Sequence, residues 1–270
     1  MNKDAMPDAA PDAVPDSNSA IVTAGLLVIG DEILSGRTKD KNIGYIAEYL
    51  TAIGVDLKEV RVVADDENAI IEALNALRRR YSYVFTTGGI GPTHDDITAD
   101  CVAKAFGVTI GHDPRALALM QERYAAMGTH INEARMRMAR IPAGAELVPN
   151  KVSAAPGFFI GNVIVMAGVP TIMQAMLDAV TPRLRTGAKI MSATVRADCR
   201  EGDIGTELGE VAKAHPDVMI GSYPFVDEAS GPNTNIVVRG RDRAGLAEAT
   251  AAVEDMLAKV RARLAASARG

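Results

Sequence analysis

From Ile21 to Ile29 the chain is almost wholly apolar, and the run stops at Gly30. Its lack of polar alternation predicts a strand covered on both faces. Ile43, Ile46, Ala47, Leu50 and Ile53 then recur at helical spacing, with Gly54 placed to end the helix. Val55, Leu57, Val60 and Val62 predict a second strand. Ile70, Ile71, Leu74 and Leu77 predict a second helix, and Tyr83 to Thr87 a third strand. This β-α-β-α-β order implies an open, mostly parallel sheet with helices on its faces. Helices are expected over 98–106, 114–127 and 131–140. Phe158 to Ile160 and Val163 to Met166, joined by Gly161-Asn162, read as a hairpin, so the sheet should be mixed. A helix over 171–180 follows, with Pro170 suited to its first turn.

Thr181-Pro182 to Gly187 is the expected domain boundary. Beyond it the pattern predicts strand 189–197, helix 202–214, strands 217–223 and 234–239, and helix 243–265. The expected fold class is thus α/β: a three-layer α/β/α domain over 21–185, then a small α+β domain of β-α-β-β-α order over 186–270. Residues 1–20 repeat Pro-Asp at 7, 11 and 15 amid alanines and offer no apolar face. They read as a disordered acidic leader, without the basic start and apolar run of a signal peptide.

Composition narrows the function classes. Of 270 residues, 48% are apolar and 23% charged, which excludes wholesale disorder, and no apolar run is long enough for a membrane span. A net charge of −5 argues against nucleic acid as the main partner. Two cysteines, neither in a CxxC or Cys/His cluster, point to a reducing cytoplasm, and Cys101 sits at a spacing that suggests burial. Four scattered histidines do not make a His-rich metal site. Met127, Met136 and Met138 read as core filler. Tryptophan, a common grip for flat rings, is absent.

The segment richest in chemistry is Thr86-Thr87-Gly88-Gly89-Ile90-Gly91-Pro92-Thr93-His94-Asp95-Asp96-Ile97-Thr98. Its glycines let the backbone approach a ligand and aim N–H groups at an anion, and a helix follows. It matches neither the P-loop nor the dinucleotide fingerprint, and a tight strand-to-helix turn capped by Asp95 or Asp96 is the plainer alternative. Asp31-Glu32 and Asp65-Asp66-Glu67 end the other two strands. In an open parallel sheet those ends line one crevice, so acidic groups and an anion cradle converge. That combination calls for a divalent cation between carboxylate and phosphate, or for a carboxylate acting as a base. His94 is a candidate phosphate contact or general acid, or simply an exposed loop histidine. Asp40 and Asn42 are expected to cap the first helix and could face the crevice. Of Arg135, Arg137 and Arg140, most should be solvated, while one could reach an anion.

Gly30-Asp31-Glu32-Ile33-Leu34-Ser35-Gly36, Asp40, Asn42, Asp65 and the run Gly88 to Thr98 together resemble the molybdopterin-binding-domain superfamily. The likeness is to the branch of competence/damage-inducible protein A and the molybdopterin-binding-like domain of FAD synthase. It continues through Asn132 to Pro142, Ala155-Pro156-Gly157, Ala167 to Pro170 and Gly221-Ser222-Tyr223-Pro224. The resemblance implies a pterin or dinucleotide bound at the glycine loop, as molybdopterin or a nucleotide, with ring contacts at that site falling to Pro92, Pro170, Tyr45 or aliphatic neighbours. The phosphate-binding set it implies is Gly30, Asp31, Glu32, Ser35, Gly36, Asp40 and Asn42, with Thr87, Gly88, Gly89, Gly91, Pro92 and Thr93, and with Gly168 and Pro170. By motif, Asp65 and Asp96 match the aspartates that serve ligand phosphates and metal in molybdopterin adenylyltransferases, and Asp95 is shared with the hydrolytic branch. It therefore implies Asp65, Asp96 and His94 as catalytic and Asp65, Asp95 and Asp96 as ligands of Mg²⁺ or Co²⁺, with K⁺ a further candidate ion. It further implies a homo-oligomer, dimer or trimer. Two activities remain open: hydrolysis of a nucleotide diphosphate bond, in ADP-ribose or FAD, and molybdopterin binding or adenylyl transfer in cofactor assembly. The amidohydrolase activity of a carboxy-terminal domain in the competence protein is not carried over.

Overall fold

A computed structural model describes residues 21–228 and 231–267; the leader expected over 1–20 lies outside the described residues. The chain divides into two compact units, Met1–Gly187 and Ala188–Gly270.

In the first unit, β1 (Val22–Ile29) lies between β2 (Val55–Val63) and β3 (Tyr83–Thr87), parallel to both. β8 (Val163–Met166) extends the sheet parallel to β3. β7 (Gly157–Ile160) and β6 (Glu146–Val148) then complete the order 2-1-3-8-7-6 with antiparallel pairings. The sheet is therefore mixed, with the hairpin at Gly161-Asn162 as its turning point.

β1 shows why the run was unbroken. Val22, Ala24, Leu26 and Val28 face one helical layer, while Leu27 and Ile29 face the other. One layer holds α2 (Asn42–Ala52) and α7 (Pro170–Val180), with Ile46, Leu50, Met173 and Leu177 fully buried. The opposite layer holds α3 (Glu67–Arg80), α4 (Thr98–Phe106) and α5 (Pro114–Ala126), through Leu74, Leu77, Val102 and Met120. Each fully buried Leu or Ile contributes ~1.5–3 kcal/mol. Both faces are thus dry, as expected of a three-layer α/β/α unit.

Four short elements escaped the pattern, β6 among them. Asp31–Leu34 forms one helical turn, α1, where a strand end was expected. Ile110–His112 (β4) pairs with Arg140–Pro142 (β5) in a two-stranded ribbon. The helix expected over 131–140 is accordingly only Glu133–Met136 (α6), capped by Asn132 and followed by a 3-10 turn. Pro142 disfavours helix at Ile141, and the pairing with β4 takes the backbone bonds that a longer helix would have used. Met127 is 65% exposed, so it is not core filler.

In the second unit, β9 (Met191–Arg196), β10 (Met219–Asp227) and β11 (Gly231–Gly240) form an antiparallel sheet of order 10-11-9. Its apolar face packs on α9 (Arg243–Ser267) through Val253, Met256 and Leu257, with α8 (Gly205–Ala214) alongside. Among the described residues, no helix is long and apolar enough to cross a membrane.

Candidate functional site

The strand order places β2 and β3 on opposite sides of β1, so the chain reverses its direction of sheet-building there. A crevice opens at the carboxyl ends of the strands at such a point. In this protein it is a cavity of ≈ 390 Å³, within the range of small-molecule sites. β1 contributes Ile29 and Gly30, β3 the loop Gly88 to Asp96, β2 the Asp65 carboxylate, and β8 the segment Ala167 to Val169.

The glycine loop has its conformation because nothing larger fits. Gly88 has φ +102°, and a Cβ there would lie 2.1 Å from the Ile29 carbonyl oxygen. Gly89 has φ +65°, and its Cβ would meet Thr98 Oγ1 at 2.1 Å. Both are left-handed conformations that side chains disfavour. Thr98 then fastens the loop, its N–H donating to Gly89 O and its hydroxyl to Gly88 O, each at 3.0 Å. Among the described residues, the N–H groups of Gly89, Ile90 and Gly91 have no hydrogen-bond partner. Three consecutive unpaired donors on residues that line a cavity are the raw material of a backbone anion site.

Asp96 does not cap α4; Ile97 occupies that position without a side-chain bond. Asp96 instead turns back within the loop, where its Oδ2 accepts from Thr93 N at 2.8 Å and Thr93 Oγ1 at 2.5 Å. Asp65 Oδ2 accepts from Asp31 N at 3.0 Å, which joins the ends of β1 and β2. Burial pushes the Asp65 carboxyl above its ordinary value, although the Asp31 amide opposes this. The negative charges of Asp31, Glu32 and Asp95 raise it further. Asp95 is exposed and held below the usual range, chiefly by hydrogen bonding from Thr93 and by its own backbone N–H.

Of the expected site residues, Gly30, Glu32, Asp65, Gly88, Gly89, Gly91, Pro92, Asp95, Asp96 and Gly168 line the cavity. The others surround it without lining it. Asp40 Oδ1 accepts from Asn42 N and Ile43 N at the start of α2. Asn42 is buried, and its Nδ2 donates to Gly168 O at 2.8 Å, so it braces the loop after β8. Asp31, Ser35 and Gly36 are exposed on and after α1, Thr87 is buried in β3, and Pro170 opens α7. His94 projects outward at 98% side-chain exposure, 3.9 Å from Asp95.

The apolar wall went unread in the sequence: Tyr124, Met138, Ser153 to Ala155, Ile172 and Met176 complete the lining. Of the expected ring-contact residues only Pro92 is in the lining, which Tyr124 joins. Tyr45 stacks on Tyr49, away from the cavity, and Pro170 is not in the lining. Among the described residues, no lysine or arginine lines the cavity. Among the described residues, no three His, Cys, Asp or Glu side chains converge into a ready-made metal cage.

This architecture and loop match known proteins. Residues 25–186 match the family described as a probable molybdopterin binding domain, and residues 189–263 match the FAD synthase middle domain. The chain belongs to the molybdopterin-binding-domain family. Within it, the chain groups with the CinA-like proteins. It is 33% identical over 252 residues to a CinA-like protein of Geobacter metallireducens, covering 88% of this chain and 59% of that one. An Archaeoglobus fulgidus protein shows 33% identity over 234 residues, covering 86% of this chain and 96% of the relative. The crystal structure of a CinA protein of unknown function from Thermoplasma acidophilum superposes with a TM-score of 0.56 at 34% identity. That match covers 61% of this chain and 99% of that one.

Proposed function

We propose that this cavity binds a dinucleotide such as ADP-ribose or FAD and hydrolyses its diphosphate bond to release AMP. One observation carries the reading: a single cavity sets three unpaired N–H groups at Gly89 to Gly91 beside the carboxylates of Glu32, Asp65, Asp95 and Asp96. Donors of the first kind suit a phosphate. Carboxylates of the second kind repel one unless a cation lies between.

The donor set fits Mg²⁺ or Co²⁺ arriving with the substrate better than a resident structural ion. Mg²⁺ commonly takes one or two carboxylates and completes its shell with water and phosphate oxygens, so a three-residue cage is not required. Asp65 and Asp95 would hold it, with Asp96 through Oδ1, because Oδ2 is already engaged by Thr93. The cation supplies charge neutralisation at the diphosphate. The chain itself supplies position: the loop amides hold one phosphate, and the apolar wall with Tyr124 excludes water around the rest of the ligand. Water adds through its oxygen to one phosphorus and loses a proton to a cavity carboxylate, the bridging P–O bond breaks, and the bridging oxygen leaves on the other phosphate.

The test is release of AMP from ADP-ribose or FAD with Mg²⁺ or Co²⁺. Asp65→Asn should lower the rate by at least about 100-fold, as expected when a charged group at the reacting phosphates is removed. A second reading, molybdopterin binding or adenylyl transfer, is favoured by the match of 25–186 to a probable molybdopterin binding domain. Tight pterin binding with no AMP from either dinucleotide would select it.

A further inference from the structure

Three arginines follow one another closely after α5, and two are spoken for. Arg135 donates to His130 O at 2.7 Å and to Thr129 Oγ1 at 3.3 Å, and lies 4.6 Å from the Tyr124 ring centre. Arg140 makes a bidentate pair with Asp100 at 2.8 and 2.6 Å. Arg137 differs from both. Its Nε is buried with no hydrogen-bond partner, and it makes no ion pair among the described residues.

A buried donor on a charged group left unpaired is costly, and native structures keep few of them without a reason. The surroundings of Arg137 supply one. It lines a notch of ≈ 20 Å³, room for about one oxygen-sized group. That notch shares Gly89, Ile90, Gly91, Asp96 and Met138 with the lining of the large cavity, so the two adjoin across the glycine loop. Among the described residues, the large cavity contains carboxylates and no cationic side chain. A diphosphate there carries two negative groups, and a single divalent cation at the acidic rim leaves one under-neutralised.

We propose that Arg137 is a phosphate-holding residue: its guanidinium binds the second phosphate of a diphosphate whose first phosphate sits on the Gly89–Gly91 amides. This rests on the diphosphate reading above. The ligand class it adds is specific, because a monophosphate would satisfy the loop and leave Arg137 idle. The guanidinium fork matches phosphate oxygens in a way that an ammonium does not.

The test compares wild type, Arg137→Met and Arg137→Lys by calorimetric binding of ADP-ribose, inorganic diphosphate and AMP with Mg²⁺, beside AMP release. Met retains the unbranched stem, so thermal stability should stay near that of wild type. Arg137→Met should weaken ADP-ribose and inorganic diphosphate about 10- to 100-fold, the range for one charge-assisted contact, and AMP less than about 3-fold. Lys should recover part of the loss, and in Arg137→Ala millimolar guanidinium should restore diphosphate binding. Equal losses for AMP and diphosphate, or unchanged diphosphate affinity in Arg137→Met, would overturn the assignment while leaving hydrolysis standing. Wild type that binds ADP-ribose with the expected Arg137 dependence but releases no AMP would overturn hydrolysis and leave Arg137 standing. Wild type that binds neither diphosphate would overturn both.

Discussion

At the residue scale, Asp65 contains a conflict that ligand binding would resolve. Its carboxyl titrates above its ordinary value of 3.8 because it is partly buried and faces Asp31, Glu32 and Asp95. A carboxyl raised in the folded state binds protons more readily there than in the unfolded chain. Its ionisation therefore reduces stability as pH rises through the folded pKa, and the effect vanishes once both states are protonated. Asp65→Asn keeps an oxygen for the Asp31 N–H and removes the charge. The ligand-free variant should melt ~1–3 °C higher than wild type at pH 7–8, a small gain because the group is partly screened by solvent. The difference should shrink as pH falls and vanish below about pH 3, where both states are protonated, which melting curves across pH will show. Mg²⁺ added together with ADP-ribose should raise the wild-type melting point and move that of Asp65→Asn far less, by the mass action of a complex that binds only the folded state. A variant that is more stable and less active fits a residue retained for function rather than for folding.

At the element scale, the site is held by bonds between segments far apart in the chain. Asn42 opens α2, yet its Nδ2 reaches the carbonyl of Gly168, the cavity-lining residue after β8. That span of 126 positions makes it a brace. Asn42→Ala removes a part-buried hydrogen bond whose acceptor, at the exposed Gly168, can turn to water, so it should destabilise the protein by about 0.5–1.5 kcal/mol in denaturant titrations. It should also weaken ADP-ribose more than a destabilised variant with an intact loop would. Element type was readable wherever apolar spacing was sustained, as in β1, α2, α3, β3 and α4. It was unreadable in β4, β5 and β6, each three residues long, because so short a segment carries no period and its pairing partner is distant in sequence. The over-long helix at 131–140 has the same origin: its spacing allowed a helix, and pairing with β4 took the end of it.

At the scale of the whole molecule, the two cysteines report separately on the two units. Cys101 is buried in the first unit, where desolvation first, and then Glu67 and Asp100, push its thiol up to about 12. Cys199 is buried in the second unit and raised by burial as well. Both thiols are buried and shifted away from the thiolate form, so a thiol reagent should label each far more slowly in the native protein than in the unfolded chain. Under increasing denaturant, mass spectrometry of the labelled peptides should show the Cys101 and Cys199 peptides following the unfolding of their own units.

The amino-acid sequence by itself determined the alternation of strands and helices, because buried strands and amphipathic helices impose their periods locally. It also determined the glycine loop, because only glycine tolerates the conformations at 88 and 89. Tertiary structure alone decided which carboxylates share one cavity, that Asp96 shapes the loop, and that Tyr124 and Met138 form its apolar wall. It also decided that, of Arg135, Arg137 and Arg140, Arg137 is the one whose buried Nε has no partner among the described residues. Those facts depend on which strand ends become neighbours, and adjacency across a sheet is a property of the folded chain that no local spacing encodes.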